Sequence, residues 1–139
     1  MDRQRRVLLR EPDPPVAFFI VDEIALYREV GSTEVMAGQM AHLAAVAAMP
    51  NVTLQVLPAV AHPATASGFV LADDSAWCEH VVSGGVYEAD YLSTLTRMFD
   101  TLRAESYRAS ESAAIIERLG KTWASGVSPL TVLRTGLTA

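Results

Sequence analysis

Hydrophobic and polar positions alternate along this chain with two distinct periods, and the switches between them outline its elements. The first apolar run, Val16-Ala17-Phe18-Phe19-Ile20-Val21, is unbroken and predicts a strand over roughly residues 16–22, buried on both faces like a central strand. Before it, Glu11-Pro12-Asp13-Pro14-Pro15 can join neither helix nor sheet, because prolines lack the donor and restrict the preceding residue. Glu23 to Val30 reads as a turn or short strand, closed by Gly31. Ser32 or Thr33 then caps a helix with Glu34 in its first turn. On that helix Met36, Met40, Leu43 and Ala47 recur at steps of three and four, and Pro50-Asn51 stops it.

Val52-Thr53-Leu54-Gln55-Val56 returns to alternation and predicts a second strand, ended by Pro58. A helix between two strands predicts a parallel crossover pair. After a loop over 59–67, Gly68–Ala72 and Ala76–Val82 are further strands about Asp73-Asp74-Ser75, and Ser83-Gly84-Gly85 signals a hairpin into Val86-Tyr87-Glu88. The last third is helical. Asp90 is expected to cap a helix striped by Leu92, Leu95, Phe99 and Leu102. Ser110 is expected to cap another, with Ile115, Ile116, Leu119 and Trp123 on its apolar side, ended by Gly126 and Pro129. The expected fold is α/β (α+β mixed): a small mixed sheet of about five strands, one crossover helix, and two C-terminal helices packed on it. Residues 1–15 read as a basic, proline-rich linker, 16–125 as one domain, and 126–139 as a tail without a readable pattern.

Composition supports one domain: 139 residues, half of them hydrophobic, suit a single packed core. The charge of −5 is uneven. Arg3, Arg5, Arg6 and Arg10 against Asp2 make the first ten residues +3, leaving −8 for residues 11–139. An acidic domain gains nothing from a phosphate backbone, so direct nucleic-acid binding is disfavoured. The single cysteine, Cys78, rules out an intramolecular disulfide and fits a cytoplasmic protein. The apolar run at 16–21 is too short to span a bilayer, so no membrane association is expected.

Candidate chemistry is sparse. There is no phosphate loop, dinucleotide fingerprint, paired Cys-x-x-Cys or nucleophile elbow, so no cofactor is expected. In a strand Cys78 and His80 share one face and Glu79 points to the other with Trp77 and Val81. Cys78 and His80 would supply two metal ligands, but only His42 and His62 remain to complete a set, so no metal site is expected. Glu79 on an apolar face is costly unless paired, with Arg28 or Arg97 as structural partners, and is otherwise a ligand contact. Asp22-Glu23 sits at the carboxyl end of a parallel strand, where ligands often bind and where a solvated strand end is the plainer reading. His62 lies in a loop, where an imidazole can work as acid, base or anchor, or simply be solvated.

Several segments together resemble a known family. They are Arg6-Val7-Leu8-Leu9 before Pro14-Pro15, then Val21 to Leu26 with Arg28, Val30 and Gly31, and Val35-Met36 with Gln39 and Leu43. Pro50 to Pro58 follows as the most specific stretch, with Ala61-His62, Gly68-Phe69, Glu79 and Tyr87 after it. Phe99-Asp100 with Leu102-Arg103, and Ser110-Glu111-Ser112, close the series. The order and spacing resemble the uncharacterised, antitoxin-like C-terminal domain of actinobacterial Xre-type helix-turn-helix transcription regulators, over roughly residues 3–119. That resemblance implies a regulatory domain binding a small protein partner or small-molecule ligand, its DNA-binding half lying elsewhere. It singles out Glu23, His62, Glu79 and Tyr87 as interaction residues, to which Trp77 is added from its place beside Glu79. Trp77-Cys78 stands where the family more usually has a Tyr-Val-like pair. Two alternatives accompany this reading. One is a relative recruited as an enzyme in specialised metabolism, with His62 and Glu79 doing acid/base or cyclisation work in a pocket shared with Trp77 and Tyr87. The other is a homodimerisation module using apolar surface on the final helices.

Overall fold

A computed structural model describes residues 8–59, 68–78, 85–87 and 89–136. Strand β1 (Ala17–Asp22) runs into a short helix, α1 (Glu23–Tyr27), where sequence pattern suggested a turn or strand. The reason is local: the Asp22 carboxylate accepts from the Ile24 backbone N–H at 2.9 Å, an N-cap that outweighs the weak apolar pattern after it. Gly31, at φ 80°, turns the chain into α2 (Thr33–Ala47), capped by Ser32 through the Val35 N–H. β2 (Val52–Leu57) follows and pairs parallel with β1, Ala17 opposite Val52 and Asp22 opposite Leu57. The parallel pair and its crossover helix match the sequence reading.

Beyond the second undescribed segment come β3 (Phe69–Ala72), β4 (Ser75–Cys78) and β5 (Gly85–Tyr87), an antiparallel ribbon in that order. Three helices follow: α3 (Ala89–Glu105), α4 (Ala109–Ala124) and α5 (Pro129–Gly136). Two expected caps differ. α3 already includes Asp90, and α4 begins at Ala109 with Arg108 as its cap residue. The Arg108 N–H donates to Glu111 Oε2 at 3.0 Å, so the Glu three places on sets the start, and Ser110 lies inside the helix. The tail with no readable pattern carries α5, which leaves Leu130 and Leu133 about half exposed.

The architecture is mixed α+β, and among the described residues its strands fall into two small sheets, not the single mixed sheet expected. The cause lies on β2. The Ala17 N–H bonds to Asn51 O, so by parallel alternation β2 turns the backbone groups of Val52, Leu54 and Val56 away from β1. A third strand would take those groups. Instead the Val56 N–H donates to the Ser112 hydroxyl at 2.9 Å, and Val56 O accepts from the Tyr107 N–H at 2.9 Å. The Gln55 side chain adds a bond to Tyr107 O. The α3–α4 junction therefore closes the edge of the sheet.

Each face of the parallel pair has its own core. Leu54 and Val56 face α2 and α4, where Met36, Met40, Ile116 and Trp123 are buried. The fully buried Trp123 indole donates to Leu26 O at 3.1 Å, tying α4 to α1. α2 and α4 approach closely at Gly120, where a Cβ would meet that of Met40 at 3.3 Å. On the opposite face Leu57 and Leu102 form a smaller core with Ile20, Phe69 and Met98 packed against it. That second core joins both sheets to one helix, α3.

Two stability predictions follow from these contacts. Ser112→Ala leaves the buried Val56 N–H without its acceptor, and is expected to cost about 1–3 kcal/mol in urea unfolding. Trp123→Ala empties a fully buried site and removes the Leu26 bond, with an expected loss of about 3–5 kcal/mol in the same assay.

Candidate functional site

β1 is an edge strand among the described residues, against the expectation of a central one. Its apolar run is correspondingly exposed: Val16 is 73% accessible, Phe18 41% and Phe19 40%. Burial on both faces fails because nothing described pairs beyond β1, and the helices cover its faces only in part. Beside this edge lies a groove of about 710 Å³. One wall is β1 from Val16 to Ile20, and the other is β3, itself the edge of its ribbon. Phe99 and Leu102 of α3 form the floor, with Leu57 of β2.

The groove is built by aromatic and aliphatic contacts. Phe69 and Phe99 meet edge to face at 6.4 Å between centroids, which fixes β3 on α3. The Arg103 guanidinium lies over the Phe18 ring, 4.5 Å from its centroid, and holds that half-exposed ring against α3. Leu8 and Pro15 complete the lining. Asn51 fastens them there: its Nδ2 donates to Leu8 O at 3.0 Å and Pro15 O at 2.8 Å. The helix-stopping residue of the sequence thus also anchors the lead-in to β1. Among the described residues Asp22 is the only charged one lining the groove.

The residues singled out from sequence take separate places. Glu23 Oε2 accepts from the Ala59 N–H at 3.0 Å, bracing the exit of β2 to the start of α1. Trp77 is 39% accessible and pairs in register with Val70, which is 57% accessible, on the outer face of the ribbon. Tyr87 occupies the register position opposite Ala76, so strand alternation sets it on the other face from the Trp77 position. The Trp77 and Tyr87 positions therefore fall on opposite faces of the ribbon. His62, Glu79 and His80 lie outside the described residues. Among the described residues no three metal-binding side chains cluster, and Cys78 is a free, half-buried thiol.

Glu34 and Glu117 are held below the usual carboxylate range, Glu34 by the Ser32 hydroxyl and Glu117 by Lys121. Both lie on exposed helix surfaces away from the groove, and the Lys121–Glu117 pair, 2.8 Å apart, is a one-turn helix contact. What the groove offers is shape, apolar surface and two strand edges. Sequence reasoning passed over Phe18, Phe69, Phe99 and Arg103 as interaction residues. No local pattern marks them, since an apolar run looks the same in a central strand and at an edge.

No curated protein matches the chain, and no solved structure does. Among the described residues no helix is long and apolar enough to cross a membrane. Residues 1–118 match the domain of unknown function DUF5753, and over that span, which holds β1 to β5 and the whole groove lining, the chain belongs to that family.

Proposed function

We propose that this chain is a regulatory domain that binds a small protein partner on behalf of an Xre-type helix-turn-helix transcription regulator. The observation that carries this reading is the groove: an open, apolar trough between two strand edges, with Asp22 the one charged residue among those described in its lining. Such a surface binds by burial and backbone pairing, and among the described residues it presents no acid–base couple aimed at a bound substrate. The Asp22 carboxylate is itself engaged, as the cap of α1. The −8 charge of residues 11–139 supports a protein partner over DNA. The family resemblance supplies the regulatory context, and the cytoplasmic setting goes with it.

The test is co-expression of the tagged chain with the small protein encoded beside it, together with a mobility-shift assay on the gene's own promoter. The chain alone is expected to leave promoter DNA unshifted and to capture the neighbouring protein. Phe18→Glu, at an exposed groove position, is expected to keep the fold by circular dichroism and weaken capture at least about tenfold. Promoter binding by the isolated chain, or capture indifferent to Phe18→Glu, would remove this reading.

A further inference from the structure

Both walls of the groove are sheet edges. Since Ala17 bonds toward β2 through its N–H, parallel alternation turns the backbone groups of Phe18 and Ile20 outward, into the groove. Opposite stands β3, which among the described residues is hydrogen-bonded to β4 on one side only. The two sheets lie side by side on the same helix, since Leu57 of one and Phe69 of the other both pack with Leu102 of α3. A strand lying between β1 and β3 would rest on that helix as its neighbours do.

We propose that the groove accepts a strand: an extended segment of the partner enters between β1 and β3, pairs with both edges and joins the two sheets into one. This rests on the partner-binding reading above and names what part of the partner enters. The six residues of β1 give an edge about 20 Å long, enough for a strand of ordinary length. Alternate side chains of the inserted strand face Phe99 and Leu102, so the segment alternates apolar and polar residues.

Charge selects among occupants. Residues 11–139 carry −8, and among the described residues the one charged residue lining the groove is an acid. A segment flanked by Lys or Arg is attracted, while a fatty-acid carboxylate meets Asp22 and gains nothing from the strand edges. A second copy of the chain brings its own net charge of −5 to the contact and is disfavoured.

The probe is a fluorescein-labelled synthetic peptide of alternating valine and threonine flanked by lysines, titrated with the full chain and read by anisotropy. Two further versions carry N-methyl groups on alternate backbone nitrogens, one version for each edge of the strand. The unmodified peptide is expected to bind, and each methylated version to bind at least about tenfold more weakly, because both edges are used. Ile20→Pro removes an outward N–H from β1 without touching its bonds to β2, whereas Ile20→Ala removes only side chain. The proline variant is expected to bind at least about fivefold more weakly than the alanine variant, again as a loss of backbone pairing. Should the proline variant fail to fold, the methylated peptides decide the matter on the unaltered chain. Equal binding of all three peptides overturns the proposal, and so does a loss from only one methylated version, which means pairing with a single edge. Equal binding of a glutamate-flanked version overturns the basic occupant. A dimer of the free chain that the peptide dissociates gives the groove to a second copy. Capture of the neighbouring protein that withstands Ile20→Pro as well as Ile20→Ala refutes strand insertion while leaving the regulatory reading intact.

Discussion

The Val56 backbone is the hinge of this structure. Its N–H and C=O point away from β1 and would ordinarily recruit a third strand. Ser112 and Tyr107 take them instead, at 2.9 Å each. A buried backbone donor without a partner costs on the order of 1–3 kcal/mol, so this substitution of a helix junction for a strand is a constraint and no decoration. With one edge of the parallel pair closed by α4, only β1 is left to face the antiparallel ribbon. The groove exists because the sheet can grow in one direction alone.

Much of this fold is readable in the sequence, and the reasons differ by element. β2 reads cleanly because Val52, Leu54 and Val56 are buried while Thr53 and Gln55 are only partly so, a period-two signal over those five residues. The α3 and α4 stripes read equally well, since Leu95, Leu102, Ile116, Leu119 and Trp123 are all buried. β1 misleads because an apolar run carries no mark that tells a central strand from an edge awaiting cover. α1 is missed because one capping bond from Asp22 decides it. The number of sheets is missed because it turns on Ser112, whose distance from Val56 in sequence hides the contact.

The candidate site was less legible. Glu23 was chosen for its strand-end position and serves as a brace to Ala59. Tyr87 was chosen from the family resemblance and Trp77 from the face it shares with Glu79, yet register sets their positions on opposite faces of the ribbon. The groove draws on residues as distant as Leu8 and Leu102, so no local motif could announce it. The family span ends at residue 118, before Leu119 and Trp123. The groove lining thus falls within the matched span, while part of the core on the other face of the parallel pair is supplied by residues beyond it.

Amide hydrogen exchange on the free chain tests the central claim directly, because it reports each backbone N–H separately. The account predicts slow exchange at Phe19, Val21 and Val56, whose N–H groups are bonded within the fold, and fast exchange at Phe18 and Ile20 on the open edge. Protection at Phe18 and Ile20 equal to that of Phe19 and Val21 would show the edge already occupied, and would contradict the account.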